Sequence, residues 1–201
     1  MTRNTCGLDE AGRGALSGPL VIAAVVIPQE FRYPPLESGS PFRDSKFLTA
    51  RQRLEAYRII MRESLAVETV AISARAINRN GINWANIEGF RQLIASTAAD
   101  NYIVDGRWRL GDLGEKSGMT SCMVRADQTV PSVMAAGIVA KVVRDRLLQA
   151  LHRRDPRYGW DHNTGHGTYE HIEAIRRHGV TREHRTQFVT TALSQSRRSD
   201  R

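Results

Sequence analysis

The chain has 201 residues, 41% of them hydrophobic, with 29 basic against 21 acidic side chains and a formal charge of +8. Its length suits one domain of ordinary size with a small appendage. The longest apolar run, residues 20–27, is far too short to span a bilayer, and polar residues 1–5 lack the apolar core of a signal peptide, so a soluble, cytoplasmic protein is expected.

The positive charge favours a polyanionic partner, though weakly on its own. Lys46, Lys116 and Lys141 are the three lysines. Cys6 and Cys122 form no CxxC pair and are too few for a disulfide framework or a zinc site; both read as small, partly buried thiols.

A short strand through Gly7 and Leu8 runs into Asp9 and Glu10. Residues 20–27, bounded by Pro19 and Pro28, suit a buried strand. So few residues separate the two strands that they should pair antiparallel. Residues 33–43 are a loop by their Pro, Gly and Ser content. Thr49-x-x-Gln52 fits a capping box for a helix whose Leu54, Tyr57, Ile60 and Met61 share one face. Residues 65–74 alternate as a strand. Asn83 is placed to cap a second helix, with Trp84, Ile87, Phe90 and Ile94 as its core face.

Residues 102–106 form a short strand ending at Asp105-Gly106, and residues 120–128 another ending in an acid, Asp127. Pro131 and Ser132 then start a long helix with Ile138, Val142, Val143, Leu147 and Leu151 on its buried stripe. Residues 169–177 form one more helix. Strands alternating with helices imply an α/β domain, here with a mixed sheet. The expected division is a catalytic domain over 1–151, a C-terminal appendage over 152–190 that helps bind substrate, and a disordered tail over 191–201.

Three acids, Asp9, Asp105 and Asp127, sit at the ends of predicted strands, and Glu10 adjoins the first. In sheets of this class ligands bind beyond strand ends. Each acid alone has an ordinary reading: Asp105 as a turn residue before Gly106, Asp127 as a helix cap. Together, four crowded carboxylates repel and require something positive between them. A pair of divalent cations meets that need and suits phosphodiester cleavage. Adjacent side chains on a strand point to opposite faces, so Asp9 and Glu10 serve one site only if the strand ends there. Residues 11–14, Ala-Gly-Arg-Gly, supply that ending, with Arg13 suited to a phosphate or sugar.

"GLDEAGRGALSGPLVIAAVV" closely resembles the opening of the type 2 ribonucleases H, the ribonuclease HII family. The likeness continues in order through "DSKFLT" (44–49), "YIVDG" (102–106), "RADQTVPSVMAAGIVAKVVRD" (125–145) and "HGVTREHRTQF" (178–188), covering about residues 5–188. The resemblance implies a ribonuclease H-like fold: a central mixed sheet of about five strands flanked by helices, with a small C-terminal helical appendage. It implies endonucleolytic cleavage of RNA in RNA–DNA hybrids and of ribonucleotides embedded in duplex DNA, by two-metal hydrolysis with Mg2+ or Mn2+, leaving 5′-phosphate and 3′-hydroxyl ends. The corresponding task is removal of RNA primers or misincorporated ribonucleotides by a protein expected to be a monomer.

By the same resemblance Asp9, Glu10, Asp105 and Asp127 are the catalytic, metal-binding carboxylates. Gly12, Arg13 and Gly14 form the loop that senses the 2′-hydroxyl, and Ser45 and Lys46 contact backbone phosphates. Lys141 reads as a surface partner of Asp145, with a phosphate contact as the alternative.

Two positions depart from the family pattern. Gly137 stands where the family usually has Ser, and His166 stands where a tyrosine normally stacks near the sugar beside the junction. Tyr158 or Tyr169 is a substitute for that ring. Rival readings are a non-catalytic hybrid-binding protein and another nuclease of this fold, such as the type 3 enzymes, whose glycine loop differs.

Overall fold

The computed structural model describes residues 3–28, 30–37, 39, 41–42 and 45–199, with side chains described to residue 195. Five strands form one mixed sheet in the order β3-β2-β1-β4-β5: β1 Asn4–Ala11, β2 Leu20–Pro28, β3 Ala66–Ile72, β4 Asn101–Asp105 and β5 Thr120–Met123. The helices are α1 Ala50–Glu63, α2 Ala74–Asn80, α3 Ile82–Ser96, α4 Ala126–Thr129, α5 Pro131–Arg154, α6 Trp160–Asn163, α7 Tyr169–His178 and α8 Thr186–Ser199. Among the described residues no helix is long and apolar enough to cross a membrane.

Strand β1 lies antiparallel to β2, from Asn4↔Pro28 to Ala11↔Val21, as its short connection requires. It lies parallel to β4, but only from Thr5↔Asn101 to Leu8↔Val104. The strand runs through Asp9 and Glu10 and ends at Ala11, within the segment expected to end it; it keeps one neighbour through Ala11 after losing the other at Leu8. Parallel β5 joins β4 from Tyr102↔Thr120 to Asp105↔Met123. It is shorter than the sequence suggested, ending at Met123. Asp127 thus belongs to α4 and not to a strand end. Left-handed Arg125 (φ 60°) turns the chain between the two.

Residues group into two compact units: Met1–Ala11, Val21–Val70 and Asn86–Val142 in the first, Gly12–Leu20, Ala71–Ala85 and Val143–Arg201 in the second. That division differs from the expected boundary at residue 151. Residues 191–199, expected to be disordered, continue α8; residues 200 and 201 lie outside the described ones.

In the first unit β2 is buried along nearly its whole length, and Ile60, Phe90, Ile94, Tyr102, Val104 and Ile138 are buried with it. Thr49 caps α1 as predicted: its hydroxyl accepts from the Gln52 N–H at 3.3 Å, and the Gln52 side chain accepts from the Thr49 N–H at 3.0 Å. Met61, placed on that helix's inner face, is exposed. A β-carbon at Gly7 would overlap the backbone of Ser132 and Val133, so glycine lets β1 lie directly against the start of α5. Cys6 is buried; Cys122, on edge strand β5, is exposed and not partly buried as expected. Trp84, read as core, is 39% exposed.

In the second unit Leu16, Leu148, Tyr158, Trp160, Ile175 and Val189 form the core, with Leu148 taking the place expected of Leu147. Ser73 caps α2 and Gly81 (φ 87°) closes it, so Asn83 lies inside the first turn of α3 and caps nothing.

Candidate active site

Strand β1 brings Asp9 and Glu10 past the last residue paired to β4, and β4 ends on Asp105. The Asp105 carboxylate Oδ1 accepts the N–H groups of Ala126 (2.8 Å) and Asp127 (3.4 Å). It thereby supplies the N-terminal cap that Arg125 does not give α4, and carries Asp127 beside itself. Behind it, Trp108 Nε1 donates to the Asp105 carbonyl at 2.6 Å and fixes the strand end. Asp127 is buried, and its Oδ2 accepts from Lys46 Nζ at 2.9 Å. Asp9 Oδ1 accepts from the Glu10 N–H at 2.7 Å, while its Oδ2 faces Gly137 of α5. A side chain at Gly137 would overlap that oxygen.

Burial, then the charges of Glu10, Asp105 and Asp127, hold the Asp9 carboxyl well above the ordinary carboxylate range. Burial, then Asp127, raises Asp105 as well, opposed by the Asp127 and Ala126 N–H groups and then by Lys46. Asp9 therefore feels all three other predicted acids, and Asp105 feels Asp127. Among the described residues no three Asp, Glu, His or Cys side chains close into a ready ligand set. The donors are nonetheless all hard oxygens, and their excess negative charge fits divalent cations such as Mg2+ or Mn2+. Asp9, Asp105 and Asp127 each commit one oxygen to a protein donor and leave the other available.

Lys46 and Ser45 form a 3-10 turn, with Arg53 of α1 donating to the Ser45 carbonyl at 3.2 and 3.0 Å and to the Leu48 carbonyl at 2.8 Å. Lys46, expected to meet phosphate, sits on Asp127 with its side chain 74% exposed. Asp44 of the same motif lies outside the described residues.

Gly12, Arg13, Gly14 and His166 belong to the second unit. Gly12 has φ 91°, and a β-carbon there would overlap the Arg144 guanidinium. Arg13 donates to Asn83 Oδ1 at 2.8 Å. The Gly165 carbonyl accepts the N–H groups of Leu16 (2.8 Å) and Ser17 (3.2 Å), joining the glycine loop to the turn that carries His166. His166 is exposed, its Nδ1 beside Thr164 Oγ1 (3.1 Å) and the Asn163 carbonyl (3.3 Å). Tyr158 is 1% exposed and stacked on Trp160, so it cannot replace the missing ring; Tyr169 is 75% exposed.

Sequence reasoning missed two buried arginines in this unit. Arg144 donates to the carbonyls of Ser17, Pro19 and Thr164, and Arg185 to those of Gly12, Arg13 and Gly18. Their motifs were visible, but nothing in the spacing says that an arginine will be buried on carbonyls.

A Ribonuclease HII family model matches residues 6–191. Ribonuclease HII of Parafrankia sp. (strain EAN1pec) is 38% identical over 187 residues, covering 92% of this chain and 75% of that protein. Ribonuclease HII of Ralstonia nicotianae (strain ATCC BAA-1114 / GMI1000) is 38% identical over 188 residues, 93% of this chain and 77% of the relative. The fold is similar to a solved structure of the PCNA:RNase HII complex from Archaeoglobus fulgidus, with a TM-score of 0.78 and 26% identity over 93% of this chain and 95% of that one. It is also similar to Bst-RNase HIII solved in complex with Mn2+, with a TM-score of 0.70 over 98% of this chain and 71% of that one, where 20% identity shows the fold alone. With the family model spanning most of its length, the chain belongs to the ribonuclease HII family, the type 2 ribonucleases H.

Proposed function

We propose that this enzyme cuts the RNA strand of RNA–DNA hybrids, and DNA strands at embedded ribonucleotides, by metal-dependent hydrolysis at Asp9, Glu10, Asp105 and Asp127. The observation that carries this reading is the convergence of acids on Asp9: burial first, then the charges of Glu10, Asp105 and Asp127, raise its carboxyl. A pure binding protein has no use for a cluster that repels phosphate. Divalent cations held by these carboxylates would lower the pKa of a water and offset charge on the leaving oxygen.

The protein's own part is placement. The Glu10 N–H orients Asp9, the α4 amides orient Asp105, and Lys46 orients Asp127. Gly12, Arg13 and Gly14 read the ribose, since the 2′-hydroxyl is what distinguishes RNA from DNA along the backbone. Lys46 and Ser45 lie on a turn suited to a backbone phosphate, and His166 stands where the junction sugar is read. Removal of primer RNA and misincorporated ribonucleotides, by a cytoplasmic monomer, is the setting this chemistry suits.

The test is a DNA duplex carrying one ribonucleotide and a longer RNA–DNA hybrid, each incubated with and without Mg2+ or Mn2+. Metal-dependent cuts leaving 5′-phosphate and 3′-hydroxyl ends are expected. A 2′,3′-cyclic phosphate as main product would mean that the ribose hydroxyl attacks, and would refute hydrolysis by water.

A further inference from the structure

Arg185 is fully buried in the second unit, and among the described residues no carboxylate lies within ion-pair distance of it. A buried cation without a counter-charge is costly, so its hydrogen bonds must be well made. They are: Nη1 donates to the Gly12 carbonyl at 2.7 Å and the Arg13 carbonyl at 2.9 Å, while Nε and Nη2 donate to the Gly18 carbonyl at 3.1 and 3.0 Å. Arg144, equally buried, donates to Ser17 and Pro19 further along the same segment.

The carbonyls taken by Arg185 have a geometric consequence. In a planar trans peptide the C=O of one residue and the N–H of the next point in opposite directions. The described chain has no cis peptide bond. With the Gly12 and Arg13 carbonyls drawn onto Arg185, the N–H bonds of Arg13 and Gly14 are turned away from it.

A second residue sets Arg185 in turn. Asn78 of α2 donates from Nδ2 to the His184 carbonyl at 2.9 Å and accepts the Thr186 N–H on Oδ1 at 2.9 Å. One exposed side chain thus brackets the backbone on both sides of Arg185.

We propose that Arg185 is a positioning residue for ribose recognition: it sets the peptide planes of Gly12–Arg13 and Arg13–Gly14 so that their N–H groups face the substrate, and Asn78 sets Arg185. The inference rests on the reading of residues 12–14 as the ribose-sensing loop. Neither Arg185 nor Asn78 touches substrate; both act through the loop.

The experiment uses the full chain carrying Asp105→Asn, so that substrate survives in Mg2+. Fluorescence anisotropy measures affinity for a duplex with one ribonucleotide and for the all-DNA duplex of the same sequence. Arg185→Lys and Asn78→Ala are each added to this reference. Lysine keeps the charge but cannot span three carbonyls.

Both variants should lower the preference for the ribonucleotide about fivefold, the worth of roughly one hydrogen bond, with all-DNA affinity little changed. A purely structural role would lower both affinities in proportion and leave the preference intact, which would overturn the proposal. Should Arg185→Lys fail to fold, Asn78→Ala decides alone, and an unchanged preference overturns the inference. A reference protein with no preference at all would instead overturn the reading of the loop, and this inference with it.

Discussion

Gly137 and Asp9 face each other so closely that α5 has no room for a β-carbon beside the carboxylate Oδ2. Gly137→Ala should displace the Asp9 carboxylate and lower kcat about tenfold or more, since small misplacements at a reacting centre are costly. Gly137→Ser should lose less, because its hydroxyl can donate to the oxygen it crowds. Steady-state kinetics with both variants checks the order, and equal rates for glycine and alanine would contradict it.

Asp105 has two duties, in the acid cluster and as the cap of α4. Asp105→Asn should abolish most turnover yet keep the cap, because the amide oxygen still accepts. Asp105→Ala should lose both, costing about 1 kcal/mol more in stability than the Asn variant. Urea denaturation of the two metal-free proteins measures the difference.

The raised carboxyls of Asp9 and Asp105 give metal-free stability a definite pH dependence. Above the ordinary carboxylate value of 3.8 the folded state holds protons that the unfolded chain has released. The cluster's contribution is therefore most favourable at low pH and is lost as pH rises through the elevated folded values. Divalent metal should restore it. The rise in Tm on adding Mg2+ should be larger at pH 8 than at pH 5, and an equal rise at both would count against the cluster.

His184 works in the opposite sense within the second unit. Its Nδ1 accepts from the Thr181 N–H at 3.0 Å, and its Nε2 lies 3.3 Å from His171 Nε2, which accepts the Trp160 indole N–H at 3.3 Å. His171 Nδ1 donates to the His166 carbonyl at 2.7 Å. Burial pushes His184 down to about 4, with His171 adding to the shift, and burial lowers His171 too. Neutral rings thus contribute stability that is complete above pH 6.5 and is lost as pH falls through about 4. Hydrogen exchange over residues 158–186, corrected for intrinsic rates, should show protection falling in that window.

Lys46 occupies an oxygen of Asp127 that a cation could use. Lys46→Met should lower the metal concentration for half-maximal binding by about threefold while raising KM for the nucleic acid, as expected of a side chain that neutralises an acid and a phosphate in turn. Calorimetric Mn2+ titration and steady-state kinetics separate the two effects.

His166 is exposed, at the position where the sequence resemblance leads one to expect a tyrosine. Its ring offers less stacking area, so cleavage at a single embedded ribonucleotide should be weak relative to longer hybrids. His166→Tyr should raise that ratio. Because Tyr158 is buried, an unchanged ratio would point to Tyr169.

Much of this was legible because it depends on local order along the chain. The Thr49 capping box, the antiparallel β1–β2 pair and the start of α5 at Pro131 follow from spacing alone. Asp127 was misplaced onto a strand because its neighbours read as extended; a left-handed Arg125 and a cap lent by Asp105 are tertiary effects. Trp84 looked like core because helical periodicity says which residues share a face, not whether anything covers it. Arg185 was illegible for a related reason: its partners are backbone carbonyls, which have no letter in a sequence.

The two cysteines differ in a way that offers a reporter. Cys6 is buried and its thiol is pushed up to about 12, whereas Cys122 is exposed on β5 opposite Val104, one residue before Asp105. Thiolate, not thiol, is the alkylating nucleophile. A maleimide fluorophore applied to the native protein will therefore mark Cys122 alone, giving a single dye one strand away from the acid cluster without any engineered substitution.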